Sequence, residues 1–134
     1  MAPDIAIDQI DEDILSAEAA VIATNGPGGV PQLSAIWFIV EDGVVKMSVT
    51  ESTQKHRNLV ADNRSTLLIF HPESTNYYAE IRGTISISPD LDYGFANRLG
   101  RKYSTDMRSF DSDGASRVVL ALEPSKINVG DYRD

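Results

Sequence analysis

Residues 20–50 decide the fold, and they read AVIATNGPGGVPQLSAIWFIVEDGVVKMSVT. Three runs in this stretch have the apolar, β-branched composition of strands, and the pattern predicts strands over Ala20–Thr24, Val30–Val40 and Val44–Thr50. Asn25–Gly29 and an acidic tripeptide that ends in glycine separate the runs, and both are turn sequences. Because short turns join antiparallel neighbours, the stretch predicts a three-stranded meander.

The rest of the chain adds strands and short helices. Alternation of apolar and polar residues predicts a long strand over Tyr77–Ser88, and similar patterns predict strands over Thr66–His71 and Arg117–Leu122. Helical spacing of apolar residues predicts three helices: about Asp8–Ala17, a short one that ends near Asp62–Asn63, and Leu91–Tyr103. Six antiparallel strands with two or three short helices indicate a mainly β (α+β) fold, a small closed or partly closed β-barrel.

Length and composition exclude several classes of protein. The chain has 134 residues, which fits one domain with residues 1–18 as an acidic helical segment at its start. It contains no cysteine, which excludes disulfides and cysteine-ligated metals. No apolar run approaches the about 18 residues of a membrane-spanning helix, and residues 1–14 lack the basic residues of a secretory signal. We therefore expect a soluble cytoplasmic protein with no membrane partner.

The net charge is −8, and residues 1–45 account for it, since they contain eight acidic residues and no Lys or Arg. Nonspecific nucleic-acid binding needs basic residues to neutralise phosphates, so we expect no nucleic-acid partner. Asp111–Gly114 resembles the start of a calcium loop, but Leu122 stands where the closing glutamate belongs. With two histidines on different elements, we expect no metal, and we predict a solvated polar loop over Ser104–Ser116.

The segment SVTESTQKHRNL, residues 48–59, is the strongest candidate for a binding site. A strand end and a hydroxyl-rich turn with Ser48 and Thr50 lead into a helix whose first turns carry Lys55 and Arg57. A helix N-terminus offers free N–H groups, hydroxyls add donors and the two cations supply charge, which together suit a phosphate. Ordinary capping with surface cations explains the same residues, and the residues alone leave both interpretations open.

Alternation in the second strand puts Gln32, Ser34 and Phe38 on one face, and Leu33 and Trp37 on the other. Gln32 and Ser34 beside aromatic rings suit the edge of a planar heterocycle. A core or interface role explains the aromatic residues equally well, and this alternative also stays open.

Aromatic and basic residues form two further groups. Tyr77 and Tyr78 either stack on a ring or cover the surface of the barrel. Arg98, Arg101 and Lys102 are predicted to form a solvated face of the third helix.

Five segments occur in an order and spacing that resemble one known family. They are residues 30–38, 55–59, 78–84, 101–103 and 117–120, the last followed by Pro124. Together they resemble the split β-barrel flavin and deazaflavin oxidoreductases related to pyridoxamine 5′-phosphate oxidase, and most closely the branch that uses coenzyme F420. The resemblance spans about Ala20–Val129 and implies a six-stranded antiparallel split β-barrel of the FMN-binding type.

The resemblance also implies a homodimer with two cofactors at the subunit interface. The family's cofactor contacts match these residues: Lys55, helped by Ser48, Arg57 and Asn58, at the phosphate; Gln32, Leu33 and Ser34 along the tricyclic ring; and Tyr77 and Tyr78 from the other subunit.

By the same resemblance, we expect hydride transfer between coenzyme F420 and a small electron-poor substrate, such as an enone or a quinone-like ring. Related proteins often carry an arginine two residues before the lysine, where this chain has Thr53, so FMN is the alternative cofactor. The alternative functions are an FMN-dependent oxidase or reductase of the pyridoxamine 5′-phosphate oxidase type, and a non-catalytic flavin- or heme-binding module. No residue stands out as a general acid, so the sequence names no catalytic residue.

Overall fold

A computed structural model describes residues 2–134, and Met1, the first residue of the predicted acidic segment, lies outside them. The fold is mainly β, with seven strands: Ala20–Asn25 (β1), Pro31–Ile36 (β2), Ile39–Glu41 (β3), Val44–Thr50 (β4), Arg64–His71 (β5), Ser74–Pro89 (β6) and Arg117–Asp131 (β7). They form one antiparallel sheet in the order β2-β1-β5-β6-β7-β4-β3.

Short helical elements connect the strands. The α-helices are Glu12–Leu15 (α1), Gln54–Ala61 (α2) and Gly94–Lys102 (α3), and 3-10 turns lie at Ile7–Gln9, Pro27–Gly29 and Met107–Phe110. None of the helices within residues 2–134 combines the length and the apolar character needed to cross a bilayer.

The predicted strand Val30–Val40 is two strands, which makes the six-strand count and the three-stranded meander wrong. β2 pairs with β1 and β3 pairs with β4, at opposite edges of the sheet. Phe38 breaks the run because its side chain is buried and its backbone bonds to other partners. Its N–H donates to the Tyr103 hydroxyl at 3.2 Å, and its carbonyl accepts from Lys102 Nζ at 2.9 Å.

The two edge strands explain the shape of the barrel. Two residues join β2 to β3, and so short a link spans no more than about 11 Å, so the sheet must curl until its edges approach. No ladder joins β2 to β3 in the described residues, so the barrel is split rather than closed. Its interior is filled by fully buried side chains: Ile22, Phe38, Met47, Leu67, Ile69, Ile81 and Leu120.

The alternation predicted for the long fifth strand is confirmed in β6. Ala79 and Ile81 are buried inside the barrel, while Arg82 points outward. The pairing of β6 with β7 shifts register after Arg82, where the backbone of Glu123 approaches Gly83 too closely for any Cβ atom. Glycine at this position therefore permits the long strand to bend around the core.

The predicted helix over Asp8–Ala17 is not one continuous helix but a 3-10 turn followed by the short helix α1. Ile10 has an extended backbone, and the Asp11 carboxylate accepts a hydrogen bond from Asp13 N–H at 2.8 Å, which starts a separate short helix, α1. The buried isoleucines of this segment pack against the main core: Ile7, Ile10 and Ile14.

The predicted helix over Leu91–Tyr103 begins three residues later than expected. The Asp90 carboxylate accepts hydrogen bonds from Phe95 and Ala96 N–H, which fixes the start of α3. Leu91 therefore lies outside the helix and is 92% exposed, instead of joining its apolar face.

Candidate functional site

The predicted turn and helix after β4 are present, and Thr53 determines where α2 begins. Thr53 Oγ1 accepts a hydrogen bond from His56 N–H at 3.2 Å and donates to the Thr50 carbonyl at 3.0 Å. Leu59 is buried in the main core and anchors the helix. These contacts set the first turn of α2 at the end of β4, with Lys55 directed toward β2.

Lys55 is half-buried, and no carboxylate within residues 2–134 forms an ion pair with it. Its Nζ donates to Ser34 Oγ at 2.9 Å, and burial lowers the pKa of its ammonium group. The two residues lie 21 positions apart, and both were predicted site residues. Because a desolvated cation is stabilised more by an anion than by a hydroxyl, Lys55 is suited to bind an anion.

Lys55 lines a pocket of about 520 Å³. Its polar wall consists of Thr50, Ser52, Thr53 and Lys55, and the hydroxyls of Thr50 and Ser52 lie 2.9 Å apart. Its loop wall consists of Met107, Phe110, Asp111, Ser112 and Ala115, and Trp37 lines the pocket beside it. A cation beside hydroxyls fits a phosphate, and the aromatic side chains on the other side of the pocket suit a planar ring.

A buried ion pair ties the loop wall to the sheet. Arg117 Nε and Nη2 donate to the two carboxylate oxygens of Asp111 at 2.7 and 2.8 Å, and the side chains are 8% and 6% exposed. Arg117 Nη1 donates to Ser48 Oγ at 3.0 Å, and the Tyr93 hydroxyl donates to Asp111 at 2.6 Å. Their mutual hydrogen bonds are the main reason that the pKa of Asp111 is lowered and that of Arg117 is raised.

Asp111 and Arg117 were not predicted as site residues. The prediction of a solvated loop over Ser104–Ser116 is wrong at Asp111, whose side chain is only 6% exposed, and at Met107–Phe110, which forms a 3-10 turn. Arg117 was the available signal, because a charged residue that opens an apolar strand needs a buried partner. No local pattern marked Asp111 as that partner.

Asn58 and Gln32, two predicted cofactor ligands, bond to each other. The buried Asn58 donates through Nδ2 to Gln32 Oε1 and to Thr24 Oγ1, both at 3.0 Å, and accepts from Gln54 Nε2 at 2.8 Å. The side chain of Asn58 therefore bridges β1, β2 and α2. Gln32 and Ser34 lie on the face of β2 that meets α2, as alternation predicts.

Arg57 and Leu33 lie outside the pocket that contains Lys55. Arg57 is exposed and donates to the Ser52 carbonyl at 2.9 Å and to Gln54 Oε1. Leu33 is exposed on the outer face of β2. Ala35, on the same face, lines the pocket, so the pocket opens toward that face.

Tyr77 and Tyr78 are not brought to the pocket within one chain. Tyr78 packs edge-on against Phe70, with ring centroids 6.2 Å apart, on the outer face of β5 and β6. Tyr77 stacks on His71, with ring centroids 5.5 Å apart, at the far end of β6.

His71, Asp11 and Asp13 offer ligand atoms within 4.8 Å of one another. His71 Nδ1 accepts a hydrogen bond from Glu73 N–H at 3.1 Å, so a neutral imidazole carries its proton on Nε2, which faces Asp13 at 3.5 Å. Metal ligation through Nε2 needs that nitrogen without its proton. The contacts therefore indicate a hydrogen-bonded group rather than a metal site.

The chain matches the model of a known family over most of its length. The family model for pyridoxamine 5′-phosphate oxidase matches residues 6–129, which include all of the pocket residues named above. No curated protein matches the sequence.

Solved structures share the fold. A protein named an F420 reductase is 28% identical, with a TM-score of 0.77, and the match covers 87% of this chain and 94% of that one. A pyridoxamine 5′-phosphate oxidase-like protein of Listeria innocua is 18% identical, with a TM-score of 0.70 and coverage of 92% and 96%. General stress protein 26 of Bacillus anthracis is 18% identical, with a TM-score of 0.70 and coverage of 92% of each chain.

Proposed function

The chain belongs to the pyridoxamine 5′-phosphate oxidase family, and from that premise we propose that it is an oxidoreductase that uses coenzyme F420. The proposed reaction is hydride transfer between the deazaflavin and a small electron-poor substrate, such as an enone or a quinone. The observation that carries the proposal is the half-buried Lys55, with its lowered pKa, in a pocket whose other wall is largely apolar. The likeness to an F420 reductase supports coenzyme F420 as the proposed cofactor.

The polar wall is the proposed phosphate site. Lys55 supplies the positive charge, and the hydroxyls of Thr50 and Ser52 donate hydrogen bonds. Ser34, which holds Lys55 Nζ, lies next to Gln32 on the strand proposed to follow the ring. When bound, the deazaflavin supplies the hydride chemistry. The chain binds and orients the cofactor and excludes water from the site.

FMN is the second candidate cofactor, and the charge of the pocket favours it. Thr53 is fully used in capping α2, Arg57 lies outside the pocket, and Arg117 is neutralised by Asp111. Among the described residues that line the pocket, Lys55 is then the cation without a carboxylate partner. FMN carries a phosphate but lacks the polyglutamate tail of coenzyme F420, which would need further cations.

We place the site in a homodimer formed by the outer face of the sheet. Strand register puts Ala35, Val21 and Leu68 in one row of that face, and the exposed ring of Phe70 and the partly exposed ring of Tyr78 follow. A second copy seated there would bury this apolar area and cover the opening of the pocket at Ala35. Tyr78 of the partner subunit is then the proposed contact to the ring.

A paired fluorescence titration with oxidised coenzyme F420 and with FMN, at matched salt, tests the cofactor. Tighter binding of coenzyme F420 supports the proposal, whereas tighter binding of FMN moves the protein to the flavin alternative. If neither binds at micromolar concentration, the phosphate site is wrong. Turnover is then measured with the reduced cofactor and menadione or cyclohexenone. Binding without oxidation of the cofactor would favour the alternative of a non-catalytic binding module.

Mixing two defective variants tests the shared site. We expect Lys55→Ala and Tyr78→Ala homodimers each to bind cofactor weakly. After subunit exchange, half of the dimers are mixed and carry one native site each, so about a quarter of all sites should recover. No recovery, with exchange verified by mass spectrometry of a tagged subunit, would show that Tyr78 does not complete the site of its partner.

A further inference from the structure

We propose that Asp111 is a positioning residue that fixes Phe110 against Trp37 and so shapes the side of the pocket where the acceptor binds. The inference rests on the proposed function in taking that acceptor to be a planar, electron-poor ring. Asp111 itself does not touch the acceptor. Its effect passes through the backbone to the next residue in the chain.

The Asp111 carboxylate accepts three hydrogen bonds from two residues. The guanidinium of Arg117 contributes two charge-assisted hydrogen bonds, and the Tyr93 hydroxyl contributes a third at 2.6 Å. The Arg108 guanidinium lies 3.9 Å from the centre of the Tyr93 ring and covers it. Because charge-assisted bidentate pairs fix orientation as well as distance, the backbone at Asp111 has one preferred position.

The position of the Phe110 ring depends on the backbone at Asp111. Its side chain is 62% exposed, so packing does little to hold it. It makes an edge-to-face contact with Trp37 at 6.2 Å, and Trp37 stacks on Tyr103 with ring centroids 3.9 Å apart and an interplanar angle of 7°. Trp37 is thus held by the Tyr103 ring, whereas Phe110 is an exposed ring placed by its neighbour Asp111. The two rings line the pocket, and a planar apolar acceptor suits both.

The fluorescence of Trp37, the single tryptophan of the chain, reports this contact without any cofactor. In Asp111→Asn, an amide N–H replaces one acceptor and faces the guanidinium, so the loop wall should loosen. We expect the acrylamide quenching constant of Trp37 to rise about twofold. Tyr93→Phe removes one hydrogen bond and should give a smaller rise, which keeps the test valid if Asp111→Asn folds poorly.

Asp62→Asn is the matched control. Arg64 Nε and Nη2 donate to both oxygens of Asp62 in the same arrangement, but this pair is more exposed and does not line the pocket that contains Trp37. Its quenching constant should match that of the wild type. Unchanged quenching in both Asp111→Asn and Tyr93→Phe, with cooperative melting retained, would overturn the proposal.

Ligand binding provides the second readout. Menadione, titrated by quenching of Trp37, should bind about fivefold more weakly to Phe110→Ala and to Asp111→Asn, as expected for loss of one aromatic contact. Affinity for coenzyme F420 should stay within about threefold in both variants. An equal loss of cofactor affinity, or unchanged menadione affinity, would overturn the positioning role. Absence of cofactor binding by the wild type would instead refute the proposed function, and the Trp37 quenching result would stand independently.

Discussion

The two walls of the pocket are built in different ways. The polar wall is a contiguous segment held by local hydrogen bonds around Thr53, and its Lys55 forms no ion pair with a carboxylate in the described part of the chain. The loop wall is held by Asp111 and Arg117, which neutralise each other inside the protein. Lys55 is therefore available to a ligand, whereas the ion pair of Asp111 and Arg117 maintains the shape of the pocket.

The largest expected effect is the loss of stability in Arg117→Met. Removing the guanidinium leaves the Asp111 carboxylate buried without its cation, so the free energy of unfolding should fall by about 3–5 kcal/mol. Urea denaturation measures it. The control is Arg64→Met at the exposed pair with Asp62, where the loss should stay below about 1 kcal/mol. Equal losses at the two pairs would break the comparison.

Lys55→Ala should reduce cofactor affinity and leave the fold intact. Loss of a charge-assisted contact of about 1.5–3 kcal/mol corresponds to roughly 10–150-fold weaker binding of coenzyme F420 or FMN. Titration measures the affinity, and thermal melting should show no destabilisation, because Lys55 is a desolvated cation without an anionic partner. Lys126→Ala, on the exposed part of β7, is the matched control. A change below about threefold would remove Lys55 from the proposed site.

Thr53→Ala sharpens the claim that local bonds build the polar wall. Loss of the cap at α2 should lower the free energy of unfolding by about 1 kcal/mol and weaken cofactor binding by misplacing Lys55. Thr53→Ser keeps the hydroxyl and should restore both quantities. If the serine variant behaves like alanine, the hydroxyl of Thr53 does not determine the position of the helix.

A further expected effect is a pH dependence of stability at Lys102, where the prediction of a solvated helix face is wrong. Lys102 Nζ donates to the carbonyls of Ala17 and Phe38, and burial lowers its pKa to about 8 from 10.5. Between these values the unfolded chain holds more protons than the folded one, so stability should rise with pH. Urea unfolding of wild type and Lys102→Met across pH 8–10 measures the difference, which should grow in favour of the wild type. A constant difference would contradict the lowered pKa.

Most of the predictions that the structure confirms rest on patterns among residues that are close in the sequence. The alternation in β6 and the cap at Thr53 involve neighbours along the chain, so the long strand and the start of α2 could be predicted. The division of Val30–Val40 into two strands could not be predicted, because the partners of the Phe38 backbone lie 65 and 64 residues away, at Tyr103 and Lys102.

The same distinction applies to the site. Lys55, Thr50 and Ser34 were predicted, and the structure brings them to one region, because strand ends and a turn place them there. Asp111 was not predicted, because its partner is identified only once the loop folds back onto β7. Asn58 was predicted as a ligand, but its side chain donates hydrogen bonds to Thr24 and Gln32, which lie 34 and 26 residues away in the sequence.

The crystal structure of the protein with oxidised coenzyme F420 tests the central claim most directly. We expect a phosphate oxygen within about 3 Å of Lys55 Nζ, beside the hydroxyls of the polar wall, with the aromatic ring system along β2. A phosphate bound elsewhere, with Lys55 Nζ still on Ser34 Oγ, would contradict the account.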